Sequence, residues 1–397
     1  MIMNKIRTLL SKDELVYVQK NDTAIKMSIQ RILNGHYYLE TKVRECNTLP
    51  LSDEQKKEVK KFWDSIGYIH PELLEDGFFD VYNATCEDKS QLKHYIPDSF
   101  FYAFVDFYYS NPVRSSSVDD KNLYDLLFND VKTPEVIARK VDGNFMTKDY
   151  ENLSYLELLN ILKGQDSFVV KKATSSCGGH GVKFFDGDWT VEELNAYMYD
   201  RNTDNYRGSN PFSQYVIQKC IKQHESLAAL NSSSVNTVRV LTLVRNGVVH
   251  ALSSVLRIGI NGSRVDNCSS GGIVVGINSD GTLKGVAYDG NANKYTEHPQ
   301  SGSFNGKTVP SFFSIVAAAK KQAMKLSGIS KMISWDFAVD ESGEPVLIEM
   351  NINYGELDFH QLCNGPIFGD QTKEIVKEVI EHSKEFQEIN RLLGEDE

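Results

Sequence analysis

The sequence has no run of about 18 apolar residues, so no segment reads as a bilayer-spanning helix. It has no basic block either. Its 43 Lys and Arg face 54 Asp and Glu, giving a net charge of −11. That balance argues against a nucleic-acid or anionic-membrane partner. The six cysteines are scattered with no CxxC pair, so reduced and mostly buried thiols are expected. The opening stretch, MIMNKIRTLLSKDELVYVQK, becomes charged too early for a secretory signal, and a cytoplasmic protein is expected. There is no internal repeat and no low-complexity segment. What remains is ordinary for a globular chain: 397 residues, 41% apolar and 24% charged, long enough for two or three lobes.

The texture changes along the chain. Residues 1–115 read as a helical region. LSDEQKKEVKKFWDSIG opens on a capping box of Ser52 and Gln55 and stops at Gly67. In PDSFFYAFVDFYYSNP the aromatics Phe100, Phe101, Phe104, Phe107 and Tyr108 recur at helical spacing, as on a helix packed against the main body. NPVRSSSVDDKN is the best boundary. Residues 116–217 then mix short strands with helices, and residues 218–397 carry longer strands. Asn246-Gly247, Asn261-Gly262 and Asp280-Gly281 are hairpin signals between those strands. Long hairpins with helices laid against them make the fold class α+β.

Lys171 to Phe185, KKATSSCGGHGVKFF, crowds Gly178, Gly179 and Gly181 behind two lysines. It lacks the GxxxxGK[ST] pattern and the GxGxxG spacing, and VKFF after it is β-like. A strand–loop–strand flap results, able to offer backbone N–H groups to phosphates. Lys171 ends an apolar strand and points to the opposite face from Lys172. Read alone, a mobile glycine hairpin with surface lysines fits this stretch as well.

Far downstream, SWDFAVDESGEPVLIEMNIN holds Asp336, Glu349 and Asn351. Glu349 and Asn351 are two apart on a strand and share a face. A two-residue turn at Ser342-Gly343 would set Asp336 opposite Glu349. Three oxygen-bearing side chains then converge, as Mg²⁺ requires when phosphates complete its shell. A bound cation also offsets the cost of facing carboxylates.

In order, DDKNLYDLLFNDVKTPE, FVVKKATSSCGGHGV, VIQKCI, SVNTVRVLTLV and SWDFAVD…PVLIEMNINYG resemble the ATP-grasp superfamily, and most closely its sugar-transfer-associated branch, from about Asp119 to Asp370. The resemblance implies two α+β subdomains clamping ATP, at 116–217 and 218–397, behind the helical region. It implies Lys121 and Lys171 near the ATP phosphates, and the glycine loop as a lid over them. Lys172 stands where proline is common. Gln218, Lys219, Cys220 and Ile221 match the hinge that meets adenine. His224 and Asn236 are candidates for the ribose. Asp336, Glu349 and Asn351 match the metal ligands.

Arg239 and Arg257, on neighbouring strands, are implied at the γ-phosphate and the acceptor carboxylate. They share a sheet face only if the connection between their strands contains a longer loop or a bulge, which is the arrangement expected here. Asn267, Ser270 and Gly271, in VDNCSSGGIVV, offer donors for a carboxylate or oxyanion, and His360 is a candidate for substrate contact. Cys177 and Cys268 read as loop-lining thiols. The function implied is an ATP- and Mg²⁺-dependent ligase that joins a carboxylate to an amine through an acyl-phosphate. Joining an amino acid to a sugar acid in surface-polysaccharide metabolism would suit the branch. A small-molecule kinase and a non-catalytic nucleotide-binding scaffold are the alternatives.

Overall fold

The computed structural model describes residues 23–41, 46–115, 117–174, 181–199 and 214–394. Two antiparallel sheets organise it. The smaller contains β1 (Val136–Val141), β2 (Asn144–Thr147), β3 (Asn152–Leu153), β4 (Ser167–Lys172), β5 (Val182–Asp186) and β6 (Tyr215–Lys219). Its strand order is β3-β2-β1-β6-β4-β5. Alternation along β4 decides what faces the cleft. Phe168 and Val170 pack with Leu158, Leu162, Leu194 and Met198 of the helices Tyr155–Lys163 and Val191–Tyr199. Val169 and Lys171 therefore face the other way.

The larger sheet contains β7 (Thr237–Arg245), β8 (Val248–Ile258), β9 (Ile273–Ile277), β10 (Leu283–Tyr288), β11 (Lys294–Tyr295), β14 (Met332–Val339) and β15 (Pro345–Asn351). A separate short ribbon pairs β12 (Glu297–His298) with β13 (Gly302–Ser303). The large sheet runs β11-β10-β9-β8-β7-β14-β15. One face, with Val238, Val240, Leu256 and Phe337, is covered by the amphipathic helix Phe312–Leu326. The other face, with Leu241, Leu243, Val255 and Met332, shares one core with the helical N-terminal residues and the C-terminal helices. The aromatic stripe sits in that core: Phe100 packs on Trp63 and Phe104, and Phe104 on Phe386.

Local signals are realised where backbone chemistry alone decides them. The capping boxes at Ser52/Gln55 and Thr190/Glu193 form. Asn246 and Gly247 take φ of 52° and 73° and close β7 to β8 in a two-residue turn. Two turn expectations need correction. Asn261-Gly262 lies in the long connection between β8 and β9 and makes no tight hairpin. The turn between β14 and β15 is longer than expected: the Asp340 N–H donates to Glu344 O, leaving Glu341, Ser342 and Gly343 as a three-residue loop with Gly343 at φ 85°.

Candidate active site

The two sheets face each other across a cleft with a cavity volume of about 140 Å³. From the small sheet come Val169 and Lys171 of β4 and Val182 and Phe184 of β5. From the large sheet come Thr237, Arg257, Asp336, Ile348 and Glu349, and the connection contributes Lys219, Cys220 and Ile221.

Bulges set the chemistry of the large sheet. The longer turn at 341–343 alone would have put Asp336 and Glu349 out of register. A bulge leaves Ile348 unpaired between Phe337↔Leu347 and Asp336↔Glu349, which restores that pairing. A second bulge, at Leu252, lies between Leu241↔Ser253 and Thr242↔Ala251. It compensates for the two-residue turn and puts Arg239 and Arg257 on one face. As a result Arg239, Asp336 and Glu349 stand side by side across β7, β14 and β15, with Arg257 one step diagonal on β8.

Asp336 is the hub of this row. Arg239 donates Nε to Oδ1 and Nη2 to Oδ2, each at 2.7 Å. Arg257 Nη1 donates to Oδ2 at 3.2 Å, and Asn351 Nδ2 does the same at 3.2 Å. Burial works against the Asp336 charge, but Arg239 and Arg257 outweigh it and hold the carboxyl below its ordinary range. The remaining Arg239 nitrogen, Nη1, donates to Glu356. All of its nitrogens are thus engaged, so Arg239 stands behind Asp336, while Arg257 lines the cleft. Arg257 Nη2 is a buried donor without a hydrogen-bond partner among the described residues, 3.4 Å from Asp266 Oδ1.

The lysines arrive from the other side. Lys121 Nζ meets Glu349 Oε1 at 2.8 Å, and the Lys121 N–H donates to Ala173 O at the end of β4. Burial opposes the Lys121 charge, but Glu349 outweighs it and keeps the ammonium above its ordinary pKa. Burial brings Lys171 down to about 8, with the Lys121 charge adding to the effect and Glu349 opposing it. Gly181, at φ 80°, carries the chain back into β5, and a Cβ there would touch the Lys172 side chain at 3.0 Å. Gly178, Gly179 and Cys177 lie outside the described residues.

Of the other expected residues, Lys219 and Asn267 line the cleft, and His224, Asn236 and His360 do not. Gln218 shares the β4-facing register with Val169, and Lys219 pairs with Glu135 at 2.7 Å. His224 caps the short helix Glu225–Ala228, accepting from the Ser226 N–H, and does not line the cleft. Asn236 is wholly buried. Its Nδ2 donates to Leu227 O, Asn231 O and Gln223 Oε1, and its Oδ1 accepts from Ser234 and Gly259, so nothing is left for a ribose. Asn267 lines the cleft, but the Ser270, Gly271 and Gly272 N–H groups turn back onto Asn267 O and Cys268 O. They are spent in their own turn and do not form an oxyanion hole. His360 is fully buried, its Nδ1 2.8 Å from Ser253 Oγ, and burial pushes it down to about 3, so it is a neutral core imidazole.

Sequence reasoning passed over three residues. Asp266 is bonded by the Thr237 N–H at 3.1 Å and faces Arg257. Arg264 stacks on Phe184 at 4.3 Å and pairs with Asp186, joining the β8–β9 connection to the small sheet. Glu356 holds the outer side of Arg239. Glu356 lies in the stretch Asn353 to Asp370, which the sequence places beside the acceptor pocket; Arg264 and Asp266 are signalled only by their position just before Asn267.

The donor set suits Mg²⁺. Asp336, Glu349 and Asn351 all carry hard oxygen donors; among the described residues Asn351 Oδ1 and Glu349 Oε2 accept no side-chain hydrogen bond, while both Asp336 oxygens already accept from Arg239. Among the described residues no group of three or more His, Cys, Asp or Glu could hold a metal alone. Two carboxylates and an amide make part of a shell, which waters and phosphates would complete.

No helix among the described residues is long and apolar enough to cross a membrane. No curated protein matches the chain. Solved structures that the chain is similar to include an N5-carboxyaminoimidazole ribonucleotide synthetase in its ADP complex, 11% identical with a TM-score of 0.36, covering 60% of this chain and 46% of that one. The L-amino acid ligase from Bacillus licheniformis is 13% identical with a TM-score of 0.37, covering 67% and 48%. D-alanyl-alanine synthetase A from Vibrio cholerae is 10% identical with a TM-score of 0.40, covering 68% and 67%. The chain spans about half the length of the first two. The family described as Sugar-transfer associated ATP-grasp matches residues 103–377, more than half of the chain, so this protein belongs to the sugar-transfer-associated ATP-grasp family.

Proposed function

We propose that this protein is an ATP-dependent ligase that joins a carboxylate to an amine and releases ADP and phosphate. The observation that carries the reading is the opposition of charges across one cleft. Lys121 and Lys171 approach from the small-sheet side, and Arg257, Asp336 and Glu349 from the large sheet. Phosphoryl transfer needs positive groups on oxygens that gain charge, with little covalent work by the protein. Family membership supports ATP as the nucleotide, and the family's description supports a carbohydrate-derived acid or amine. A cytoplasmic site of action fits an ATP-consuming reaction.

In this reading the adenine lies against Val169, Phe184 and Ile221, beside the backbone of Lys219 to Ile221. Lys121 and Lys171 hold the phosphates. Asp336, Glu349 and Asn351 would hold Mg²⁺, which supplies neutralisation of phosphate charge when bound. Arg257 offers Nη2, ion-paired with Asp266 but not hydrogen-bonded to it, to the transferring phosphoryl group or the acceptor carboxylate. Arg239 positions Asp336. A carboxylate oxygen forms a bond to the γ-phosphorus as the bond to ADP breaks. The amine nitrogen then forms a bond to the acyl carbon, phosphate leaves, and the amine gives up a proton.

The test is product balance. Protein, MgATP and a matrix of acids and amines should yield ADP and free phosphate in equal amounts, only when both an acid and an amine are present. Phosphate retained on one product would identify a kinase. Nucleotide binding without turnover across the matrix would identify a scaffold.

A further inference from the structure

A second cavity, of about 780 Å³, lies between the N-terminal helix Thr23–Thr41 and the segment after β15. That volume falls in the range of small-molecule sites, about 300–1,000 Å³. Its walls include Tyr38, Asp98, Tyr102, Tyr354, Glu356 and Asp358, with Cys268 and Gly271 from the β8–β9 connection. It adjoins the cleft through two links: Glu356 bonds Arg239, and Cys268 follows the cleft residue Asn267.

The segment that shapes it is strained. Tyr354 and Glu356 both hold left-handed backbone, at φ 57° and 59°, a costly conformation for side chains without glycine's freedom. Tyr354 is fixed there by Arg31, stacked 4.5 Å over its ring, and by Tyr102 at 5.1 Å.

The charges do not balance. Arg31 lines the cavity, but Asp106 at 2.8 Å answers its charge. Glu356 is answered by Arg239. Asp98 and Asp358 have no cation among the described residues. Asp98 is only 6% exposed, and Tyr82 donates to its Oδ1 at 2.5 Å. Burial pushes Asp98 up to about 7, and burial, then Asp98 and Glu356, push Asp358 up as well. A cationic ligand would relieve both carboxylates.

We propose that this cavity binds the amine substrate as its ammonium ion, held by Asp98 and Asp358 beside Tyr38 and Tyr102, so that the helical N-terminal region is part of the acceptor site. The assignment of the ammonium to a substrate rests on the ligase reading above. The binding chemistry does not.

The test is calorimetric titration of the full chain with glucosamine, ethanolamine and alanine methyl ester, each beside a hydroxyl counterpart: glucose, ethylene glycol and lactate methyl ester. At least one amine should bind, and its counterpart should bind at least about tenfold weaker, the scale of one lost charge pair. Asp358→Asn should weaken that amine by a similar factor. So should Gly290→Leu, at a lining residue where a Cβ meets nothing closer than 3.9 Å and a larger side chain takes up cavity space. ADP affinity serves as the folding control, and Gly290→Leu decides if Asp358→Asn does not fold. Equal binding of amine and counterpart, unchanged affinity in both variants, or no binding by any amine would overturn the proposal. Amine binding that both variants abolish, without ADP formation with any acid, would uphold the cavity and remove the ligase reading. ADP and phosphate formation with variants as active as the parent would do the reverse.

Discussion

Arg239 and Asp336 are joined by two parallel hydrogen bonds, Nε to Oδ1 and Nη2 to Oδ2, each 2.7 Å long. The geometry is the bidentate fork that arginine makes with carboxylates, here buried in the face of a sheet. Asp336 is therefore both a candidate metal ligand and the partner of two buried cations.

Asp336→Ala should separate those roles. It strands Arg239 and Arg257, and breaking such a buried pair costs about 3–5 kcal/mol. Glu349 is more open, 28% exposed at the cleft. Glu349→Ala strands only Lys121, where Asp336→Ala strands two arginines, so it should abolish turnover at a smaller cost in stability than Asp336→Ala. Urea unfolding of the two variants checks the contrast. Equal losses of stability would mean that Asp336 is not the structural hub.

Lys171 makes nucleotide binding pH-dependent. Its folded-state pKa of about 8 lies below the ordinary 10.5. Phosphates favour the charged form, so binding should draw in a proton as the pH rises through about 8, and affinity should fall above that pH. Between about 8 and 10.5 the unfolded chain holds more protons at this residue, so the ligand-free protein should gain stability from Lys171 as pH rises across that window. Calorimetry in buffers of different ionisation enthalpy measures the uptake. Lys171→Arg should eliminate it.

Asn236 offers a clean contrast between ribose contact and structure. Asn236→Ala should cost at least about 2 kcal/mol, because several buried acceptors and one buried N–H lose their partner. The folded fraction should bind nucleotide with the parent's affinity, read by titration with ADP. A selective loss of affinity would restore the ribose role.

Gly355 sits between the two strained residues. A Cβ there would lie 2.4 Å from Ser334 Oγ. Gly355→Ala should cost about 1–3 kcal/mol through overpacking. Ser334→Ala removes the obstructing oxygen, so the double variant should lose less than the sum of the single losses. Thermal melts of the four proteins close that cycle.

Much of this protein is local and therefore written in its sequence. Capping boxes, the Asn246-Gly247 turn and the apolar alternation around Lys171 depend on neighbours a few residues away. So does the common face of Glu349 and Asn351. The ordered motifs were enough to indicate the family and the α+β architecture. The pairing of Asp336 with Glu349 was legible too, although it arises from a longer turn and a bulge at Ile348 that cancel.

What the tertiary structure decided is register and reach. The bulge at Leu252 puts two arginines on one face, and adjacency of β8, β7, β14 and β15 then makes Arg239 a support and Arg257 a cleft residue. The same packing draws Asn236 and His360 into the interior and spends the Ser270 and Gly271 N–H groups in their own turn. The acidic, tyrosine-walled cavity joins residues 31–38, 98–102, 268–271 and 354–359. No local pattern carries such a site, because its parts meet only when the helical region closes over the large sheet.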